Sequence, residues 1–168
     1  IHEIVCKATK VSNCILRTFH VRNISSYRKA FITYVRPILE YASSIWSPSA
    51  IGETAKIEYV QRRFTRIVFK KCFAGPITCI SYKSRLRSFD IQSLAYRRVV
   101  TDLCLCYRIV HGFESNKNLA LFKISERARG HSFQLSRSFA SKKNVYGSFA
   151  NRMPEIWNNL PAHIAEAG

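Results

Sequence analysis

Residues Tyr27 to Ala42 read YRKAFITYVRPILEYA, and the spacing within this stretch decides the fold. Tyr27, Ala30, Phe31, Tyr34, Val35, Ile38, Leu39 and Ala42 recur at intervals of three and four, which places one apolar stripe along a helix. Ser25 and Ser26, just upstream, are candidate N-caps. Pro37 lies inside the run and cannot donate to the carbonyl of Thr33, so a kink is expected there.

The same period extends to both sides. Upstream, Ile4, Val5, Ala8, Val11, Ile15, Leu16 and Phe19 predict a helix from His2 to Phe19. Downstream, Ser47, Pro48 and Ser49 break the pattern, and a second long helix is expected from about Ile51 to Lys71, paired with the first as an antiparallel hairpin. Ile57, Val60, Phe64, Ile67 and Val68 form its buried stripe, while Lys56, Arg62, Arg63, Arg66 and Lys70 take most of the remaining circumference. Gly75 and Pro76 end this run, and Tyr82 to Arg87 predicts a short basic turn or helix. Asp90 is then the expected cap of a third long helix, from Ile91 to about Val110, with Leu94, Ala95, Val99, Leu103, Cys106 and Val110 in the core and Gly112 as its stop.

Beyond Lys117 the texture changes. Phe122 to Ser125 and Phe133 to Leu135 alternate around Arg129, Gly130 and His131, which suggests a small β-hairpin. Tyr146 to Pro161 reads as a short amphipathic helix carrying Phe149, Met153, Ile156 and Trp157. The expected fold is mainly α: a bundle of three to four long helices over residues 1–113, with a basic C-terminal region over 114–168 that packs a hairpin and a short aromatic helix against it.

Charge dominates the composition. Twenty-seven Lys and Arg stand against ten Asp and Glu in 168 residues, a formal net charge of +17 with a pI near 10.1, which calls for a polyanionic partner. From Ile51 to Arg87 there are nine basic and two acidic residues, and from Glu114 to Ala150 seven and two, whereas Ser88 to Phe113 is nearly balanced. No apolar run approaches the roughly 18 residues of a transmembrane helix and no signal pattern opens the chain, so no membrane partner is expected. Six cysteines in a core-rich chain of this length predict reduced thiols and intracellular residence, in nucleus or cytoplasm. The chain opens on Ile1 and its one methionine is Met153, so a part of a longer polypeptide is expected.

Catalysis finds little support. Metal-assisted phosphoryl chemistry needs converging carboxylates, and the two aspartates, Asp90 and Asp102, are twelve residues apart, roughly 18 Å along one predicted helix. No Cys-x-x-Cys pair carries zinc-finger spacing, and Cys104 and Cys106 face different sides of a helix. His2, His20, His111, His131 and His163 are scattered, and the glycines form no phosphate loop. No catalytic residue, metal ligand or cofactor is therefore assigned. What remains is a cationic set, Lys56, Arg62, Arg63, Arg66, Lys70 and Lys71, joined by Lys83, Arg85 and Arg87. An ordinary solvated face interleaves both signs, but this one has almost no counter-charge after Glu58, which favours contacts to phosphates. Tyr59, Phe64, Phe69, Tyr82 and Tyr96 lie nearby as possible stacking partners.

The block Tyr34, Val35, Arg36, Pro37, Ile38, Leu39, Glu40, Tyr41, Ala42, followed by Ile45, Trp46, Ser47 and Pro48, closely resembles one found downstream of the polymerase active site in non-LTR (LINE-type) retrotransposon reverse transcriptases. The likeness continues through Ile57 to Arg66, then Tyr82, Arg85 and Leu86, then Leu94, Arg97, Arg98, Asp102, Leu103, Tyr107 and Gly112, and ends with Phe149, Trp157, Asn158, Leu160 and Pro161. The resemblance implies the thumb and the segment after it: a helical part that holds RNA, DNA or their hybrid. Fingers and palm, with the paired aspartates that bind magnesium, would lie upstream in the same polyprotein. The cysteine-rich knuckle that some members carry has no counterpart in this sequence. Three other readings stand beside it: a packing or interaction module of the polymerase, an inactive transposon relic, and a standalone nuclease or transferase.

Overall fold

The computed structural model describes residues 1–48, 50–73, 80–114, 122–125, 131–136 and 148–167. Helices dominate them: α1 (His2–Thr18), α2 (Ile24–Ala30), a π-helical turn (Phe31–Val35), α3 (Arg36–Glu40), α4 (Ser43–Trp46), α5 (Ile51–Cys72), α6 (Tyr82–Phe89), α7 (Leu94–Val110), α8 (Phe149–Asn158) and α9 (Ala162–Ala165). The mainly α class expected from periodicity is the class observed. Gly75, Pro76, Lys117, Arg129, Gly130 and Tyr146 lie outside the described residues.

Two compact units divide the chain, one comprising residues 1–43 and 48–97 and the other 44–47 and 98–168. The division falls inside α7 rather than after it. In the first unit α5 packs most extensively on α1 and also touches α2 and α6. Its core is an aromatic and aliphatic cluster in which Tyr27 and Phe31 meet Phe64, with ring centroids 6.3 Å and 4.8 Å apart, and Phe69 meets Phe89 at 6.3 Å. Ile57, Val60 and Val68 complete the buried stripe of α5.

The long helix expected over Tyr27–Ala42 is interrupted by the π turn, and Pro37 explains the interruption. Proline offers no N–H to the preceding turn, and the chain widens ahead of it so that the Arg36 N–H bonds to the Phe31 carbonyl, five residues back. The wide turn shifts the helical phase. Tyr27, Ala30, Phe31, Val35 and Leu39 stay buried, whereas Tyr34 (61% exposed) and Ala42 leave the stripe. Ala42 adopts a left-handed φ of 51° where the helix has ended. The N-cap is Asn23, whose side chain accepts the Ser25 N–H at 2.8 Å, and not Ser25 or Ser26.

Asp90 does not cap α7. It sits at the C-terminal end of α6 with φ 48° and ψ 51°, a left-handed conformation that Asp tolerates, and Arg28 binds its carboxylate at 2.7 Å and its carbonyl at 3.1 Å. Ser93 caps α7 instead, its hydroxyl accepting the Tyr96 N–H at 3.2 Å, so the helix starts three residues later than expected. Gly112 ends it as expected: its φ is +73°, and the next N–H, that of Phe113, returns to the Arg108 carbonyl at 2.8 Å. Val99 is 38% exposed; the buried line of α7 runs through Leu94, Arg98, Asp102, Cys106 and Ile109.

In the second unit Cys106, Leu135, Met153, Trp157 and Ala165 form the core. Trp157 of α8 lies against Tyr107 of α7 and donates its indole N–H to the Phe133 carbonyl at 2.8 Å. The small hairpin is not formed among the described residues, which show a single antiparallel bridge between Ile124 and Leu135. The Ser125 N–H bonds to the Gln134 carbonyl and the Ser136 N–H to the Lys123 carbonyl, both at 2.7 Å, while on the other edge the Asn158 side-chain amide accepts the Leu135 N–H and donates to the Leu135 carbonyl, both at 2.9 Å.

Candidate nucleic-acid interface

Arg62, Arg66 and Lys70 fall at intervals of four on α5, and Tyr59 precedes Arg62 by three, so all four share one face of the helix. All four are exposed, and Val60, Phe64 and Val68 are buried on the far side. The row from Tyr59 to Lys70 covers roughly 16 Å at 1.5 Å per residue. Among the described residues none of Arg62, Arg66 and Lys70 forms an ion pair. Long side chains without carboxylate partners on an exposed row are free to meet anionic oxygens.

The remaining sequence-derived candidates divide. Lys83 and Arg87 are exposed on α6, and Lys56 is exposed but held by Glu53 at 2.6 Å. Three others serve the fold. Arg63 donates to the Asn13 side chain at 2.6 Å. Lys71 reaches the Leu16 and Phe19 carbonyls at the end of α1, where a cation meets the negative end of the helix dipole. Arg85 is only 7% exposed and donates to the Ile80 carbonyl at 2.7 Å, and burial lowers its pKa. Of the aromatic candidates, Phe64 and Phe69 are core, while Tyr59 and Tyr96 are more than half exposed.

Tyr82 is the structural centre of this face. Its ring lies 4.8 Å from the Arg62 guanidinium and 5.6 Å from that of Arg85. Its hydroxyl donates to the Glu58 carboxylate and accepts the Gln61 amide at 3.0 Å; Gln61 also donates to the Gln92 carbonyl at 3.0 Å. Glu58, 8% exposed, further accepts the N–H groups of Leu94 at 3.3 Å and Ala95 at 3.1 Å, so a carboxylate sits on the positive end of α7. Burial, and then the Glu58 carboxylate, push the Tyr82 phenol well above its usual range. This network was not anticipated from composition. Its signal was a second stripe, Glu58, Gln61 and Thr65, at helical spacing beside the apolar one; all three residues are buried.

The two aspartates do not converge. Asp90 pairs with Arg28 in the first unit, and Asp102, 3% exposed, accepts the Arg152 fork at 2.8 Å and 3.0 Å in the second. Among the described residues no group of three or more His, Cys, Asp and Glu side chains could hold a metal, and no helix is long and apolar enough to cross a membrane. Cys104 is exposed and Cys106 buried, on different sides of α7 as expected.

No protein-family model matches the chain, and no solved structure matches it. An uncharacterized protein of Caenorhabditis elegans is 26% identical over 98 residues, 58% of this chain and 48% of that relative. The chain thus spans about half the length of the curated relative it matches.

Proposed function

We propose that this chain is the thumb and following region of a non-LTR retrotransposon reverse transcriptase and that it holds template–primer nucleic acid through phosphate contacts from the outer face of α5. The observation that carries the reading is the exposed row Arg62, Arg66 and Lys70, free of ion pairs among the described residues in a chain of net charge +17. Contacts of this kind position a nucleic acid without reading its sequence, which suits a part that must follow any template. RNA, DNA and their hybrid all offer the required phosphates. The chain itself would bind rather than catalyse; magnesium chemistry would belong to the upstream fingers and palm.

Binding of the chain to an RNA–DNA hybrid across a salt series tests this. Three phosphate contacts give a slope of log affinity against log salt of about −2 to −3, at roughly 0.7–0.9 per contact, and other exposed cations steepen it. Replacing Arg62, Arg66 and Lys70 together by alanine removes that share of the slope. A wild-type slope near zero, or an unchanged slope in the triple variant, defeats the proposal. A second reading, a packing module of the polymerase, draws on the internal use of Arg63, Lys71 and Arg85, and it predicts the unchanged slope.

A further inference from the structure

The turn between α6 and α7 folds back to leave a cleft of about 510 Å3, within the roughly 300–1,000 Å3 typical of small-ligand sites. Lys83, Leu86 and Arg87 line it from α6, at positions three and four apart and so on one face of that helix. Ile91 and Tyr96 line it from the turn and from the first turn of α7. The turn is fixed: the Asp90 N–H bonds to the Arg87 carbonyl at 3.0 Å and the Ile91 N–H to the Leu86 carbonyl at 3.1 Å. Asp90 also borders the cleft, but its carboxylate is paired with Arg28, which offsets its repulsion of an anion. The cleft therefore offers two exposed cations, an apolar floor and an aromatic ring that is 55% exposed.

That combination matches a phosphate joined to a flat, weakly polar ring. Within a duplex both faces of each base are covered by neighbouring bases, so a nucleotide can enter the cleft, its phosphate beside the cations and its base on Tyr96, only where it is unpaired and has left the duplex. The N–H groups of Leu94 and Ala95 are already taken by Glu58, so the phosphate would be held by side chains. We propose that this cleft takes one unpaired nucleotide of a bound strand, its phosphate beside Lys83 and Arg87 and its base on Tyr96. The inference rests on the nucleic-acid reading of the α5 face and adds single-strand recognition to it.

The test compares a blunt RNA–DNA hybrid with the same hybrid carrying a short unpaired extension, titrated against the full chain. The extension should tighten binding about fivefold or more, the low end of base–aromatic stacking. Tyr96→Ala should bring the extended hybrid down to the blunt affinity while leaving blunt binding unchanged, and Tyr96→Phe should restore the difference. Salt-dependent binding that is equal for the two hybrids, or an equal loss on both in Tyr96→Ala, overturns the cleft and leaves the α5 proposal standing. Failure of either hybrid to bind in a salt-dependent way overturns both.

Discussion

Replacing Tyr82 by phenylalanine removes one hydroxyl from the point where α5, α6 and the start of α7 are tied together. The hydroxyl donates to Glu58, a carboxylate only 8% exposed, and accepts from Gln61. Gln61 keeps the Gln92 carbonyl as a partner and Glu58 keeps the Leu94 and Ala95 N–H groups, so the loss is one charge-assisted hydrogen bond, about 1.5–3 kcal/mol, and the neutral bond from Gln61, about 0.5–1.5 kcal/mol. The aromatic ring is retained, and with it the seat of the Arg62 guanidinium. Urea unfolding at pH 8, followed by far-UV circular dichroism, should show a lower midpoint with little change in slope. The pH dependence sharpens the test. The folded-state phenol pKa of Tyr82 is raised, so its contribution is fully present below the unfolded value near 10 and is lost as pH rises through the folded value. That loss runs at up to about 1.4 kcal/mol per pH unit in the wild type and is absent in Tyr82→Phe. The gap between the two proteins should therefore narrow from pH 8 to pH 11. A variant within about 0.5 kcal/mol of wild type at pH 8, or a gap that stays constant to pH 11, refutes the account of this network.

Two further outcomes concern the second unit. Arg152→Ala takes two charge-assisted hydrogen bonds from the buried Asp102 and one from the Ser44 carbonyl, and should cost about 3 kcal/mol or more in denaturant unfolding followed by tryptophan fluorescence; a loss under about 1 kcal/mol contradicts it. Burial pushes the Cys106 thiol up to about 12, so brief iodoacetamide treatment at pH 8 should alkylate the exposed Cys104 and spare Cys106 until the chain is denatured, as read by fragment-ion mass spectrometry; equal labelling of the two under native conditions contradicts it.

The long helices were legible because most of their core follows the helical period: Ile57, Val60, Phe64 and Val68 are buried, as their spacing requires, and Ile67 beside them is half-buried. The departures have local causes that periodicity does not encode. A wide turn before Pro37 moved Tyr34 out of the core. In α7, Arg98 and Asp102 occupy the buried line where Val99 was expected, because a stripe count admits apolar residues only and cannot register a carboxylate whose charge is met by Arg152.

The basic set shows the same limit with a functional consequence. A helical projection places Arg63 beside Arg62 and Lys70, yet Arg63 turns to Asn13 while Arg62 lies over Tyr82. Lys and Arg carry a charge on a long apolar stem, so two neighbours on one helix can serve opposite purposes, and sequence position alone does not separate them. Here the separation follows the available acceptors. Lys71 lies within reach of the Leu16 and Phe19 carbonyls at the end of α1, and Arg85 within reach of the Ile80 carbonyl; each turns inward. Arg66 and Lys70 have no such acceptor among the described residues and remain outward. Arg62 is intermediate, exposed but oriented by a ring whose hydroxyl is fixed by Glu58. The outward row is therefore coupled to the core through Tyr82. A substitution that loosens the Glu58 network without touching a cation, such as Tyr82→Ala, removes the support that holds the first member of the row in place.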